Sequence, residues 1–458
     1  MAIATVNPTT GKTEMIIEPH SAAEVDDRIG QAHAAVAKLR ESTFEERSSW
    51  MRAAADFLED QAAGVGELIT IEMGKPIAQS VAEVHKAVKA MRFYAEHSAH
   101  FLADSPLEDP AKVGASVAMS RYEPLGVVLA VMPWNYPIWQ VIRFAAPALM
   151  AGNSGLLKHA SNVPQAAMLL DDLFERGGFP KGSFRTLLIG GAEVARVISD
   201  ERVAAVTLTG SEPAGRSVAA TAGEHLKKAV LELGGSDPFI VLPSGDIRAA
   251  AATAVAARIN NNGQACIAGK RFIVHTDVYD EFAQEFVRLM SELVVGDPLL
   301  PETQVGPVAT EQGRNDLIQL VEDARKKGAS ILLGGSQPEG PGWFYLPTVI
   351  ADLPDDARLV QEEAFGPVAS LYRAVDDDDA LRIANQTSFG LASAVWTNDP
   401  EQEALFVREL DAGAVFVNGM TVSYQELPFG GIKRSGFGRE LAEVGQREFC
   451  NLKTIWKA

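Results

Sequence analysis

Two side chains in the sequence combine a reactive group with a position that suits catalysis, and the first is Cys266. It ends the segment Asn262-Gly263-Gln264-Ala265-Cys266, which follows a predicted helix over residues 247–261. A nucleophilic cysteine needs exposure and a lowered pKa, and a polar turn that contains glycine can supply both. Free cysteine is more often a small buried hydrophobe, so the residue alone is only a candidate nucleophile. Cys450, on a predicted edge strand, fits that buried role better.

The second is Glu232, in the segment Leu231-Glu232-Leu233-Gly234-Gly235 at the carboxyl end of a predicted strand over 228–233. Its strand neighbours are apolar, so we expect its carboxylate to point into a cleft. In open α/β sheets, binding sites gather at this end of the strands. A partly buried carboxylate with a raised pKa can act as a general base. A solvated residue at the sheet edge, or a structural ion pair, is an alternative of equal weight.

Other segments could bind an anionic ligand. The segment from Leu208 to Gly215 joins a strand to a helix, and its free N–H groups could receive a pyrophosphate. No Gly-x-Gly-x-x-Gly fingerprint follows any strand. Lys158 ends a predicted strand and Arg143 interrupts an apolar helix over 136–150, where a cation is costly unless an anion meets it. For each cation the alternative is internal pairing, or a side chain that extends along the apolar surface to place its charge in solvent. No cluster has metal-ligand spacing, so no metal site is predicted.

Composition restricts the class of protein. A chain of 458 residues is long enough for two or more domains. The net charge of −19 argues against nucleic acid or an anionic membrane as the main partner. The apolar stretches fall short of the ~20 residues that span a bilayer, and no secretory signal is visible. With only two cysteines, a disulfide framework is not expected, and we predict a cytoplasmic protein.

These residues need a scaffold, and the pattern of elements predicts an α/β fold. Residues 21–104 have the pattern of amphipathic helices, with capping boxes that begin at Ser21 and Thr43. Residues 113–132 are predicted to form a β-hairpin that turns at 123–126. Strands then alternate with helices in two successive series, which predicts two doubly wound domains with parallel sheets. The tail, 449–458, is predicted to be a lone strand, and such strands often pair with another chain.

Over essentially the full chain, five segments resemble motifs of the aldehyde dehydrogenase superfamily. In chain order they are Pro133-Trp134-Asn135-Tyr136-Pro137, Leu231-Glu232-Leu233-Gly234-Gly235, Asn262-Gly263-Gln264-Ala265-Cys266, Glu362-Glu363-Ala364-Phe365-Gly366-Pro367 and Pro428-Phe429-Gly430-Gly431. The resemblance implies a Rossmann-like cofactor domain (1–112 and 133–232) and a catalytic domain (233–425). It also implies a bridging or oligomerisation element (113–132 and 440–458) and a homodimer or homotetramer.

The resemblance also implies roles for individual residues. Cys266 would attack an aldehyde, and the Asn135 amide with the Cys266 backbone N–H would form the oxyanion hole. Glu232 would activate the water that hydrolyses the resulting thioester. Glu363 would hold the nicotinamide ribose, with Phe365 packing nearby. The positions implied to contact the cofactor are Trp134, Lys158, Ser161, Gly210, Ser211, Leu233, Glu363 and Phe365.

The expected cofactor and substrate follow from positions at which members of the superfamily differ from one another. Many NAD-preferring members carry a glutamate three positions after the strand lysine, where this chain has Ser161. Because a carboxylate there would repel a 2′-phosphate, we expect NADP to be preferred, with NAD also possible. His159 replaces a usual proline, for which the sequence offers no explanation. Arg143 and Ser423 match positions that hold the distal carboxylate in succinate-semialdehyde dehydrogenases of the NADP-preferring kind.

Several alternatives stay open at this point. A second arginine of some relatives is Asn260 here, so glutarate semialdehyde or uncharged aldehydes are possible substrates. A thiol hydrolase or acyltransferase would use Cys266 without nicotinamide but needs a histidine partner. A non-catalytic protein is disfavoured because the expected catalytic positions are intact. Acylating relatives that use coenzyme A generally lack the base, which is present as Glu232. Ala268 stands where some relatives have a second cysteine, so no local disulfide switch is expected.

Overall fold

A computed structural model describes residues 2–458. The helices are α1 (Ala22–Glu41), α2 (Phe44–Asp60), α3 (Ala62–Met73), α4 (Ile77–Phe101), α5 (Trp139–Met150), α6 (Pro164–Arg176), α7 (Val194–Ser199), α8 (Glu212–Glu224), α9 (Ile247–Ile259), α10 (Tyr279–Ser291), α11 (Glu311–Lys326), α12 (Arg358–Gln361), α13 (Asp377–Asn385), α14 (Pro400–Glu409) and α15 (Ala442–Arg447). The strands are β1 (Ile3–Asn7), β2 (Lys12–Ile17), β3 (Ser105–Pro106), β4 (Val117–Pro124), β5 (Val127–Met132), β6 (Ser154–His159), β7 (Phe184–Thr186), β8 (Val203–Thr209), β9 (Lys228–Glu232), β10 (Pro238–Val241), β11 (Arg271–His275), β12 (Ser330–Leu333), β13 (Thr348–Ala351), β14 (Val368–Ala374), β15 (Ser393–Trp396), β16 (Val415–Val417), β17 (Gly436–Phe437) and β18 (Cys450–Lys457).

The first large sheet has six strands in the order β17-β9-β8-β5-β6-β7. Strands β5 to β9 run parallel, and β17 closes one edge antiparallel to β9. On β5, Val128 and Ala130 pack with the helices α2 to α6, while Val127 and Leu129 pack with α1, α7 and α8. Successive residues of a strand face opposite sides, so this sheet is buried on both faces, as the sequence predicts for a doubly wound domain.

The second large sheet has seven strands in the order β12-β13-β14-β11-β10-β15-β16, all parallel except the edge strand β12. Helices α9 and α10 cover one face, and α13 and α14 cover the other. The prediction of two doubly wound α/β domains is therefore confirmed. Three short strands of this sheet, β12, β13 and β15, were not predicted from the sequence.

The predicted β-hairpin over 113–132 is wrong. Strand β4 pairs with β18 and β3 in a separate three-stranded sheet, whereas β5 lies in the middle of the six-stranded sheet. The physical reason is the difference between the two strands. β5 is apolar throughout and needs cover on both faces, while β4 is half-exposed along most of its length.

The tail strand β18 has a partner within its own chain. It pairs antiparallel with β4 over eight residues, from Cys450 opposite Pro124 to Lys457 opposite Val117. Its other edge meets no strand from residues 2–458, because β18 is the outer strand of its sheet. Both predicted capping boxes are present, at Ser21 and Thr43. No helix within residues 2–458 is both long and apolar enough to cross a bilayer.

Candidate active site

Two cavities meet at Cys266. One of about 280 Å³ is lined by Cys266 and by residues at the carboxyl ends of strands in the first sheet. The other, of about 220 Å³, lies between helices α4 and α5 and the loop 420–423. Besides Cys266, only Gln140 among residues 2–458 lines both. The thiol therefore lies where a ligand in one cavity can reach a ligand in the other.

The turn that carries Cys266 is held in an unusual backbone conformation. After α9 the chain passes through Asn261 and Asn262, both with φ near 56°, and Gly263 with φ 75°. A Cβ on Gly263 would lie 2.3 Å from the carbonyl oxygen of Gly366, so only glycine fits there. The Asn262 amide donates to the carbonyl oxygens of Gly74 and Pro307, at 2.7 and 2.9 Å. These contacts hold the turn that carries the nucleophile against three other segments of the chain.

The thiol itself is less activated than the sequence suggests. Burial raises the pKa of Cys266 to about 12, although Arg143 and Lys270 act in the opposite direction. The expectation of a lowered pKa is not met, because the partly buried cysteine lies where the two cavities meet and is desolvated there. The resting thiol is thus protonated and must lose its proton during the reaction.

Glu232 ends β9 and is 2% exposed, so the predicted placement of its carboxylate in the cleft is confirmed. Within residues 2–458, neither carboxylate oxygen has a hydrogen-bond partner. Burial and, next, the nearby Glu440 raise the pKa of Glu232 well above its usual range. A Cβ on Gly430 would lie 2.7 Å from Glu232 Oε1, so that glycine keeps the space around the carboxylate open. A buried, unpaired carboxylate of this kind is a strong base once ionised.

Asn135 lies in the loop between β5 and α5, directly beside the cysteine turn. Its Nδ2 donates to the Gln264 carbonyl oxygen at 3.0 Å, which leaves its second amide hydrogen for another acceptor. Glu83 of α4 secures the loop by accepting hydrogen bonds from the N–H groups of Ile138 and Trp139 at 2.8 and 3.0 Å. The predicted oxyanion donor is therefore fixed next to the thiol.

The structure of this loop also explains His159, which the sequence analysis left unexplained. His159 Nε2 lies 2.9 Å from the Pro137 carbonyl oxygen, and Nδ1 accepts from the Ala160 N–H at 2.9 Å. Burial lowers the pKa of His159 to about 4, so the ring is neutral and carries its proton on Nε2. The histidine thus attaches the end of β6 to the loop that carries Asn135.

The larger cavity brings together most of the positions implied to bind a dinucleotide. It is lined by Trp134, Gly210, Ser211, Leu233, Glu363 and Phe365. The Trp134 and Phe365 rings meet edge to face with centroids 5.6 Å apart. Ser211 precedes the first turn of α8, and its side chain makes no capping hydrogen bond, which leaves the helix N–H groups free for an anion.

Glu363 in this cavity is held by a residue that the sequence analysis missed. Lys270 Nζ lies 2.8 Å from Glu363 Oε1 and donates to the Cys266 carbonyl oxygen at 2.6 Å. A Cβ on Gly234 would lie 2.3 Å from Glu363 Oε2, so the absence of a side chain at Gly234 leaves room for this carboxylate. A lysine in an otherwise small and apolar segment, four residues after Cys266, was the available signal.

Lys158 and Ser161 lie outside the linings of both cavities. Lys158 is the penultimate residue of β6; burial lowers its pKa, and no carboxylate among residues 2–458 pairs with it. Ser161 borders a separate small cavity of about 10 Å³ together with His159. Both residues lie at or just beyond the carboxyl end of β6, on the side of the first sheet where residues of the larger cavity also lie.

Arg143 and Ser423 both line the smaller cavity, as predicted. Arg143 is also paired internally: its Nε lies 2.5 Å from Glu440 Oε2, and one Nη donates to Thr209 Oγ1 at 3.1 Å. Its guanidinium stacks over the Phe429 ring at 4.7 Å. Arg143 is therefore both internally paired and part of the cavity wall.

The sequence analysis missed several residues of this cavity because nothing in their local segments distinguishes them. Lys75 lies in the loop before α4, Glu83 and Lys86 lie on the amphipathic α4, and Gln140 lies on the apolar α5. No histidine of residues 2–458 lines either cavity, so Cys266 has no imidazole partner there. The same residues contain no group of three or more His, Cys, Asp or Glu able to hold a metal ion.

Comparisons with known proteins agree with this geometry. The model of the aldehyde dehydrogenase family matches residues 1–455. Succinate-semialdehyde dehydrogenase [NADP(+)] 1 from Mycobacterium tuberculosis is 57% identical over 100% of both chains, and that from Mycobacterium ulcerans is 58% identical over 100% of both. The crystal structure of succinic semialdehyde dehydrogenase from Streptococcus pyogenes in complex with NADP+ is 34% identical over 99% of each chain, with a TM-score of 0.96. The chain belongs to the aldehyde dehydrogenase family.

Proposed function

We propose that this enzyme oxidises succinate semialdehyde to succinate with NADP as the hydride acceptor. The observation that carries the proposal is the position of Cys266 at the junction of two cavities, one rich in dinucleotide-binding features and one walled by cations. The names of the curated relatives support the same substrate and cofactor. Covalent catalysis suits an aldehyde, because the carbonyl carbon has no readily transferable hydride until a nucleophile adds to it.

Each residue of the site has its own step in the proposed reaction. The Cys266 thiol adds across the aldehyde C=O bond: the sulfur joins the carbon, the thiol proton ends on the oxygen, and that oxygen receives hydrogen bonds from the Asn135 amide and the Cys266 N–H. NADP, when bound, would supply the acceptor for the hydride that leaves this carbon. The hydroxyl proton passes to solvent as the hydride leaves, and a thioester on Cys266 remains. Glu232 takes a proton from a water molecule as its oxygen attacks the thioester, which breaks the C–S bond and releases the acid.

The residues of the larger cavity fit a dinucleotide. The uncapped first turn of α8 beside Gly210 and Ser211 can receive a pyrophosphate. Glu363, in the space left by Gly234, can accept hydrogen bonds from ribose hydroxyls. Lys158, without a carboxylate partner among residues 2–458, can meet a 2′-phosphate.

The smaller cavity fits a substrate with an anionic end. Three cations line it, Lys75, Lys86 and Arg143, against the single carboxylate Glu83 in its wall. This positive wall is notable in a chain of net charge −19, whose overall field repels anions. Ser423 adds a hydroxyl to the same wall.

The test is steady-state kinetics with succinate semialdehyde, glutarate semialdehyde and butanal, each with NADP and NAD. We expect the highest kcat/KM for succinate semialdehyde with NADP. Butanal has the same carbon chain without the carboxylate, so it isolates the contribution of the charge. Equal kcat/KM values for butanal and succinate semialdehyde would contradict the proposed substrate and favour a broad-specificity aldehyde dehydrogenase, which the neutral Asn260 in the cavity wall also allows.

Ser161→Glu is expected to move cofactor preference towards NAD. A carboxylate at this position would repel the 2′-phosphate, so the ratio of kcat/KM for NADP to that for NAD should fall about 10- to 100-fold. Ser161→Ala is the matched control, because it removes the hydroxyl without adding charge. An unchanged ratio in Ser161→Glu would refute the role of this position in cofactor choice.

A thiol hydrolase that works without nicotinamide is the main alternative. It would need an imidazole beside Cys266 to raise the thiolate population, and the cavity linings within residues 2–458 contain none. The near-ultraviolet absorbance of reduced nicotinamide distinguishes the two. An aldehyde should generate this absorbance in the presence of NADP, whereas a hydrolase would release acid from an ester without it.

We also propose the cofactor domain (1–112 and 133–232), the catalytic domain (233–425) and a homodimer or homotetramer in the cytoplasm. The three-stranded sheet supports association, since the outer edge of β18 has no strand partner among residues 2–458. Leu452 and Trp456 on β18 are both more than half exposed, at 54% and 53%. An open edge with exposed apolar side chains is a typical surface for pairing between subunits. Sedimentation velocity of the full chain measures the state directly, and a monomer would contradict it.

A further inference from the structure

We propose that Lys86 is the residue that binds the distal carboxylate of the substrate and sets the preference for acidic aldehydes. The proposal rests on the proposed function and names a specificity-determining residue within it. Lys86 was not among the positions predicted to bind substrate. That role was assigned to Arg143 and Ser423.

The helix α4 places Lys86 in the cavity wall. Gln79, Ala82, Glu83 and Lys86 all line the smaller cavity, and their positions i, i+3, i+4 and i+7 put them on one face of the helix. Cys266, in the turn that follows α9, lines the same cavity. A substrate whose aldehyde carbon reaches the thiol therefore extends towards this face of α4.

The Lys86 ammonium is held in place but not neutralised. Its Nζ donates to Ser423 Oγ at 2.7 Å and lies 4.3 Å from the centre of the Trp139 ring. An ammonium has three N–H donors, and Ser423 accepts from only one of them. No carboxylate of residues 2–458 lies within ion-pair distance of this nitrogen. The ring and the hydroxyl thus orient a cation that still has donors to offer.

The other two cations of the cavity already have anionic partners. Lys75 forms a buried ion pair with Glu83, and Arg143 Nε faces Glu440 Oε2 at 2.5 Å. Taking either cation for the substrate would leave a buried carboxylate uncompensated, which is strongly unfavourable. Lys86 can accept the substrate carboxylate without breaking an existing pair. The charge that is free to bind is therefore on Lys86, and Ser423 acts chiefly by positioning it.

The charged groups around Lys86 agree with this role. Arg143 and Lys75 face it as cations, Glu83 faces it as an anion, and Cys266 is a neutral thiol at rest. Burial, followed by Arg143, lowers the pKa of Lys86 to about 7. A bound carboxylate would offset that unfavourable environment and stabilise the protonated ammonium.

The first test compares Lys86→Met with Lys89→Met. Methionine keeps an unbranched stem over Trp139 but removes the charge. We expect KM for succinate semialdehyde to rise about 10- to 100-fold, as for the loss of a charge-assisted hydrogen bond. The kcat, and kcat/KM for butanal, should change little. Lys89 lies on the exposed side of the same helix beside Glu426, and its variant should match the wild type.

The second test separates a binding charge from a structural role. The ratio of kcat/KM for succinate semialdehyde to that for butanal cancels effects of pH on Cys266 and Glu232. In the wild type this ratio should fall as pH rises through about 7, because Lys86 loses its charge. In Lys86→Met the ratio should be low and independent of pH. In Lys86→Arg it should stay high across the range, because arginine remains protonated.

The outcomes distinguish failure of this inference from failure of the proposed function. If the wild type does not prefer succinate semialdehyde to butanal, the proposed substrate is wrong, and the inference falls with it. If the wild type shows the preference and Lys86→Met keeps it, the inference alone is overturned. Activity on butanal in each variant shows that the fold and the thiol are intact.

Discussion

Glu232→Gln is expected to reduce each active site to one rapid turnover, after which product release nearly stops. The amide cannot take a proton from water, so the thioester on Cys266 should accumulate. Loss of a positioned general base lowers the rate of its step by about 10²–10⁴-fold, and steady-state kcat should fall by that amount. The first equivalent of reduced cofactor should still appear, because its formation precedes the step that uses Glu232.

Rapid mixing with NADP and succinate semialdehyde measures this directly. The variant should show a burst of absorbance close to one equivalent per active site, followed by a very slow phase. Glu224→Gln, on the exposed end of α8, is the matched control and should behave as the wild type does. A variant with neither burst nor turnover would place Glu232 in the first half of the reaction instead.

The pH dependence of deacylation has a definite sign. Burial raises the pKa of Glu232, and only the ionised carboxylate can act as a base. Where deacylation limits turnover, kcat should therefore increase as pH rises through the pKa of this group. The same raised pKa means that the ionised form costs stability in the folded protein, so this group does not stabilise the enzyme at high pH.

Cys266→Ala is expected to abolish both the burst and the steady state. Without the sulfur, no covalent adduct forms, and kcat should fall by about 10⁴-fold or more, as for other nucleophile deletions. Binding of NADP, followed by quenching of tryptophan fluorescence, should survive, since Cys266 contributes only one wall of the larger cavity.

Cys450→Ala provides the matched control. Cys450 is buried at the start of β18, and its thiol lies 3.6 Å from the Gln446 carbonyl oxygen, outside both cavities. The variant should keep its activity and lose only packing stability. If Cys450→Ala were inactive and Cys266→Ala active, the assignment of the nucleophile would be reversed.

Local sequence was sufficient wherever local patterns determine structure. The apolar run that forms β9 ends at Glu232, and parallel strands place their carboxyl ends together, so this carboxylate was expected in a cleft. Hydroxyl and carboxylate residues at capping-box spacing likewise predicted where α1 and α2 begin. The family motifs added the identity of Asn135 and Glu363, which no local pattern distinguishes.

Sequence reasoning failed where the deciding contact is distant along the chain. Strand β4 pairs with the tail strand rather than with its neighbour β5, because β5 needs cover on both faces. The polar turn around Cys266 suggested an activated thiol, but tertiary packing desolvates it and raises its pKa. In the sequence Lys86 resembles an ordinary charged residue on an amphipathic helix, because its contacts with Ser423 and Trp139 form only in the folded protein.

The most direct test of the central claim, that Cys266 carries the acyl group and Glu232 releases it, is peptide mass mapping. Glu232→Gln would be mixed with NADP and succinate semialdehyde, then quenched in acid after the burst. We predict that the peptide containing Cys266 gains the mass of one succinyl group, that the peptide containing Cys450 does not, and that hydroxylamine removes the adduct. An unmodified Cys266 after a full burst of reduced cofactor would contradict the account.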